Sequence, residues 1–201
     1  MTGQLVVFEG KDGTGKSTLA KLLFQAAQDR GRKAMLVGFP THTGHIGAFI
    51  RASFEGKVTF DRRAYLYLMI ADGIDWEDRI NAFVSDGGLF IADRHTTFSA
   101  FVYQTEDYSF DAVSQVYSAH PWRKPDMAFL VDAPTAVSME RQRSRTKYAD
   151  VVWENEDVSY NERLRQKYLK LFEAYEGPSK ILDGTKTPEE LLDEVMKILG
   201  V

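Results

Sequence analysis

The chain has 201 residues, 44% of them hydrophobic and 27% charged, an ordinary globular composition long enough to bury one core. Its formal net charge of -4 supplies no basic field for nucleic acid, and the absence of cysteine excludes disulfides, thiolate catalysis and Cys-ligated metal and agrees with a reducing compartment. No apolar run approaches ~18 residues and no secretory leader is visible, so residues 1–201 are expected to form a single soluble, cytoplasmic domain with neither a membrane nor a nucleic-acid partner.

The run Leu5-Val6-Val7-Phe8 predicts a buried first strand. It leads into Gly10-Lys11-Asp12-Gly13-Thr14-Gly15-Lys16-Ser17-Thr18, which matches G-x-x-x-x-G-K-[ST] at Gly10, Gly15, Lys16 and Ser17. Leu19, Leu22, Leu23, Ala26 and Ala27 then recur at helical spacing, and Gly31 is a natural stop. Strand, Gly-rich loop and helix in this order are the context that motif requires. The glycines let the backbone curl so that successive N–H groups converge on phosphate oxygens. The helix N-terminus adds the positive end of its dipole. Lys16 brings a mobile charge for the β- and γ-phosphates, and Ser17 a hydroxyl for Mg²⁺.

Ala34 to Phe39 predicts a second strand, closed by Pro40, and Thr41 to His45 a polar loop at its C-terminal end, where open α/β sheets hold ligands. The four histidines show no metal-ligand spacing, and His42 and His45 read as loop residues. Ile46, Phe49, Ile50 and Phe54 begin a short amphipathic helix. A long one is expected over Arg62–Val84, with Leu66, Met69, Ile70, Ile74, Ile80 and Phe83 in or near one face. After the turn Asp86-Gly87-Gly88, Leu89–Asp93 predicts a third buried strand ending in a carboxylate, followed at once by Arg94. A helix over Thr97–Gln104 and an amphipathic segment over Phe110–His120 come next. The fourth strand, Met127–Asp132, also ends in Asp, so Asp93 and Asp132 compete for a magnesium role that suits hard oxygen ligands.

The helix expected from Pro134 carries Glu140-Arg141-Gln142-Arg143-Ser144-Arg145, with Lys147 just beyond. A bare charge run of this kind is usually a solvated helix face, but phosphoryl transfer needs cationic clamps on the transferred group. Tyr148–Asp157 reads as a loop, and Leu164, Tyr168, Leu171 and Tyr175 mark a long helix ending near Gly177-Pro178. Lys180-Ile181-Leu182 is a short last strand. Thr187-Pro188-Glu189-Glu190 is a capping box opening the final helix, with Leu191, Leu192, Val195 and Leu199 facing in. Strands alternating with helices predict an α/β, three-layer P-loop fold on a five-stranded parallel sheet.

No [NT]-K-x-D guanine-reading motif occurs, which argues against a GTPase. A small-substrate kinase suits the residues better, because Asp12 faces an acceptor and Asp93-Arg94 places a metal ligand beside an anion-binding guanidinium. The chain resembles the thymidylate kinase family of nucleoside monophosphate kinases. The resemblance is carried by Glu9-Gly10-x-Asp12-Gly13-x-Gly15-Lys16-Ser17-Thr18, Phe39-Pro40, Ala71-Asp72, Asp93-Arg94, Tyr103-Gln104, Pro125-Asp126, Leu130-x-Asp132, the Arg-rich segment from Arg141, and Arg163-Leu164-Arg165 before Tyr168.

The resemblance implies ATP and Mg²⁺ as cofactors and transfer of the γ-phosphoryl group to a nucleotide, dTMP in the family. Lys16 and the loop residues Gly10 to Thr18 would hold the ATP phosphates, and the adenine would lie near the lid and the Asp183–Lys186 loop, which makes Lys186 a donor-site residue. Ser17 and Asp93 would serve the metal. Asp12 and Arg94 would meet the acceptor, walled by Pro40, His42, Met69, Gly73 and Phe98. Arg143, Arg145 or Lys147, in a lid over about 141–156, would reach the transferred group. Family members are commonly homodimers, so a homodimer is expected.

Four positions depart from the family pattern at the acceptor end. His42 stands where the family has a phosphate-gripping Arg, Gly73 where it has a second Arg, Met69 where it has a stacking Phe, and His95 where it has Tyr. A lost Arg removes a bidentate anion contact, and Met cannot stack like a ring. Arg51, Arg62, Arg63 or Arg79, with Phe98, Tyr65 or Tyr67, are candidates to rebuild the pocket for dTMP. The alternatives are another nucleotide, nucleoside or small acceptor, or a nucleotide-binding protein without turnover.

Overall fold

The computed structural model describes residues 2–144 and 157–200. Arg145, Lys147 and nearly all of the loop expected over 148–157 lie outside the described residues.

Five parallel strands form one sheet in the order β2-β3-β1-β4-β5, with β1 at Gln4–Glu9, β2 at Ala34–Gly38, β3 at Leu89–Asp93, β4 at Met127–Asp132 and β5 at Ser179–Asp183. The sheet is buried on both faces, which is why its central strands read as unbroken apolar runs. Alternate residues of β1 go to opposite sides. Val6 and Phe8 pack with Ile91, Phe129 and Val131 against α1 (Lys16–Asp29) and α8 (Pro188–Leu199), through Leu19, Leu23, Leu191 and Val195. Leu5 and Val7 pack with Phe90, Ala92 and Leu130 against α3 (Ala64–Ser85), α4 (Thr96–Tyr103) and α7 (Val158–Ala174). Each fully buried side chain of this size contributes about 1.5–3 kcal/mol, so both layers are secured by the strands themselves. A smaller core joins Leu66 and Ile70 of α3 to Ala100 of α4 and to Val113 and Tyr117 of α5 (Phe110–Ser118). Beyond the sheet, α2 (His45–Phe54) packs on α3, and α6 (Thr135–Arg143) on α7.

The expected elements are all present, with shifted ends. The capping box of α8 is complete, with Thr187 and Glu190 each bonded to the other's backbone amide. The long helix starts at Ala64 rather than Arg62, with Arg63 at the N-cap position and no side-chain cap hydrogen bond. Ile74 does not face inward as expected and is 43% exposed. It sits one residue, and so about 100°, past Gly73 on the buried stripe Leu66, Ile70, Gly73, Trp76, Ile80 and Val84. No described helix is long and apolar enough to cross a membrane.

Candidate active site

The phosphate loop is wedged between two neighbours. Gly10 has φ 142° and Gly13 φ 82°, and a Cβ on either would stand 2.5 Å from the Val131 carbonyl or 2.1 Å from that of Ser138 on α6. Only glycine fits there. The loop closes on itself through Thr14 Oγ1, which donates to the Lys11 carbonyl at 2.9 Å. Gly15 caps α1 with no side-chain hydrogen bond, so the first-turn amides stay open for an anion.

The register Phe8↔Asp93 sets the end of β3 beside the loop. Between them opens a cavity of about 340 Å³, lined on this side by Asp12, Lys16, Ser17, Asp93 and Arg94. Asp12 is its pivot. Its Oδ1 accepts from Lys16 Nζ at 3.0 Å and from Arg94 Nη2 at 2.5 Å. Burial opposes this carboxylate's charge, but the two cations outweigh it and hold its pKa well below the usual range.

Arg94 has φ 72°, a left-handed conformation that costs about 1–2 kcal/mol for a non-glycine residue. The surroundings over-determine it. Its amide donates to the Phe8 carbonyl at 2.8 Å, Nη1 donates to Tyr168 Oη at 2.8 Å, and its guanidinium lies 5.4 Å from the Tyr103 ring centre. Glu9, fully buried at the end of β1, stands 4.0 Å from Nη1. Glu9 also accepts from the His95 amide at 2.7 Å and from Ser99 Oγ at 3.1 Å. Burial raises the Glu9 pKa, partly offset by Arg94 and these donors.

The two candidate metal carboxylates differ sharply. Asp132 is held by Arg165 through two bonds of 2.8 Å. Asp93 Oδ1 is buried with no hydrogen-bond partner among the described residues, and its side chain lines the cavity with Ser17. An orphaned carboxylate oxygen beside a hydroxyl and open loop amides fits Mg²⁺. No cluster of three or more His, Asp or Glu that could hold a metal occurs among the described residues.

The cavity is also lined by Pro40, Thr41, His42, Arg51, Phe54, Met69, Tyr103 and Gln104. Of the four candidate arginines, Arg51 alone lines it; Arg62 bonds to Asp107, Arg63 to Asp61, and Arg79 lies over Trp76. Burial and the nearby Arg51 charge lower the His42 pKa, so the imidazole is neutral at physiological pH. Tyr65 stacks on Phe54 and bonds to Ser53, and Tyr67 is exposed.

Two expected wall residues are not in the wall. Phe98 is buried against Phe172 and Tyr175, with ring centres 5.2 and 5.0 Å away. Gly73 lies behind the wall, where a Cβ would meet Thr96 Oγ1 at 2.7 Å and the Trp122 ring at 3.0 Å. Trp122 and Thr96 thus close the space into which a longer side chain would extend. His95 caps α4 by accepting from the Thr97 amide at 3.3 Å. Arg143, on the last turn of α6, does not line the cavity, and Lys186 bonds to Glu194 on α8 at 2.9 Å. Residues not anticipated as site residues include Glu9, Thr41, Phe54, Tyr103 and Gln104, the last with its Oε1 buried and without a hydrogen-bond partner among the described residues. The Tyr103-Gln104 pair was visible as a motif, but no local pattern said that it faced a ligand.

The family model described as Thymidylate kinase matches residues 8–195. The chain is 32% identical over 198 residues to the thymidylate kinase of Fervidobacterium nodosum, covering 97% of this chain and 98% of that one. It is 31% identical over 199 residues to the thymidylate kinase of Thermosipho africanus, with 96% of each chain covered. A solved thymidylate kinase from Candida albicans superposes with a TM-score of 0.81 at 21% identity, covering 99% of this chain and 92% of that one. The phosphate loop, the Asp93-Arg94 strand end and the match over nearly the full length agree, and the chain belongs to the thymidylate kinase family of nucleoside monophosphate kinases.

Proposed function

We propose that the protein transfers the γ-phosphoryl group of ATP to dTMP, giving dTDP, with Mg²⁺ as the required ion. The observation that carries this reading is a single cavity lined both by Lys16 and Ser17 of the phosphate loop and by Arg51, Met69 and Gln104, with the Lys16–Asp12–Arg94 ion chain in its wall. Lys16 and the α1 amides hold the donor's phosphates, while Arg94 and Arg51 grip the acceptor's. Asp12 keeps both cations placed before substrates arrive, so transfer rests on positioning and charge neutralisation. Ser17 and Asp93 would hold Mg²⁺, which would supply charge neutralisation for the donor phosphates. Gln104 offers its unpaired amide oxygen to a base edge, and Phe54, Met69 and Tyr103 supply apolar surface. The same reading makes the protein a cytoplasmic homodimer, which sedimentation would test.

Coupled ADP release with Mg-ATP and a panel of acceptors tests the assignment. The expected result is strong preference for dTMP over dUMP, other monophosphates and nucleosides, with turnover abolished in Lys16→Ala. A folded Lys16→Ala variant at near-parent rates would overturn the donor site. A second reading, a different nucleotide or nucleoside acceptor, is favoured by His42, Met69 and the closed wall at Gly73, and poor use of dTMP beside a better acceptor would establish it.

A further inference from the structure

Helix α7 runs alongside the phosphate loop and is tied to that side of the molecule by three polar contacts in succession. Lys11 Nζ donates to Asn161 Oδ1 at 2.9 Å, with both residues buried. Thr135 Oγ1 donates to Glu162 Oε2 at 2.5 Å, and Arg165 grips Asp132. The first of these involves the loop itself. Asn161 Nδ2 donates back to the Asp157 carbonyl at the N-cap of α7, at 3.0 Å, which turns its carbonyl oxygen toward Lys11. The carbonyl of Lys11 meanwhile accepts from Thr14 Oγ1. One bond therefore closes the loop internally, and the other fixes it to a neighbouring helix. A lysine ammonium in this place would be costly to bury unpaired, and Asp12 and Glu162 add favourable charge beside it.

We propose that Lys11 is a positioning residue for the donor nucleotide: anchored on Asn161, its side chain holds the peptide between Gly10 and Asp12 against α7, so that the loop amides are preset for phosphate. This rests on the donor site lying at the phosphate loop. The side chain acts through the backbone it holds, without touching the nucleotide.

Lys11→Met, Asn161→Leu and the double variant test this, with steady-state kinetics for Mg-ATP and dTMP and calorimetric titration with Mg-ADP. Losing one buried charged hydrogen bond predicts about a tenfold rise in KM for Mg-ATP and in Kd for Mg-ADP in each single variant. The acceptor's KM stays within about twofold, and the double variant is no weaker than Asn161→Leu, because both single variants break the Lys11–Asn161 bond and Asn161→Leu alone also loses the bond to the Asp157 carbonyl. The proposal is overturned by Asn161→Leu binding Mg-ADP like the parent while Lys11→Met is weak, which makes Lys11 a direct phosphate ligand, and equally by single effects that add. Asn161→Leu lies outside the loop and carries the test if Lys11→Met fails to fold. Lys16→Ala, run beside them, separates the two failures. If it stays active the donor-site reading falls; if it is dead while the Lys11 and Asn161 variants match the parent, this inference alone falls.

Discussion

Glu9 shows how one residue can set the site without lining it. It is fully buried, and its carboxylate meets the His95 amide, the Ser99 hydroxyl and the edge of the Arg94 guanidinium. Glu9→Gln keeps the shape and one acceptor oxygen but removes the charge facing Arg94. Removing a buried charge need not destabilise the fold, so the melting temperature should move by no more than a few degrees. Turnover should fall by about 10- to 100-fold, the worth of a charge-assisted contact. An unfolded variant, or a folded one at parent rates, would make Glu9 purely structural. Gly73 is a second case. Even Gly73→Ala drives a Cβ to 2.7 Å from Thr96 Oγ1 and 3.0 Å from Trp122, so it should cost about 1–3 kcal/mol in a denaturant titration. Trp122→Ala in the same chain should recover part of that. If Gly73→Ala is neutral, the wall is looser than the packing indicates.

Among the elements, the strands and the phosphate loop were legible because their signals are local: apolar runs, glycines at fixed offsets, a carboxylate at a strand end. The acceptor wall was legible only in part: Pro40, His42, Arg51 and Met69 line the cavity as named from the sequence, whereas Phe98 and Gly73 do not. Arg51, Met69, Tyr103 and Gln104 meet only when α2, α3 and α4 pack together, and nothing in the neighbourhood of Gly73 announces Trp122. His95 belongs to this class, since a histidine after Asp-Arg becomes a helix cap only in context. Its buried imidazole has a pKa pushed down to about 4 by desolvation. The unfolded chain takes up a proton near pH ~6.5, which the folded chain refuses until about pH 4. The stability contributed by neutral His95 is therefore complete above pH ~6.5 and is lost as pH falls toward 4. Between pH 7.5 and 5 this amounts to about 2 kcal/mol. His95→Asn keeps a capping oxygen and removes the titration. Urea titrations without nucleotide and with EDTA should show the parent losing about 2 kcal/mol more than the variant over that interval. Equal losses would mean that His95 does not stay neutral on folding.

For the whole molecule, the cavity draws its lining from the phosphate loop, the ends of β2 and β3, and helices α2, α3 and α4. A ligand that bridges so many elements binds the folded chain and not the unfolded one. At 100 times its Kd each ligand adds about 2.7 kcal/mol, or about 5–10 °C in melting temperature for a chain of this size. The two ends of the cavity should respond separately. Mg-ADP should raise the melting temperature through Lys16 and the open α1 amides, and dTMP through Arg51 and Arg94. Lys16→Ala should erase the Mg-ADP shift and keep most of the dTMP shift, and Arg51→Ala should do the reverse, because Arg51 pairs with Glu55 at 3.3 Å and, among the described residues, forms no ion pair with the Lys16–Asp12–Arg94 chain. Asp12 is the exception that makes the scheme testable. It pairs with both Lys16 and Arg94, so Asp12→Ala frees both cations at once and should change the two shifts together. If Lys16→Ala and Arg51→Ala each abolished both shifts, the cavity would be one undivided site and the assignment of separate donor and acceptor ends would be wrong.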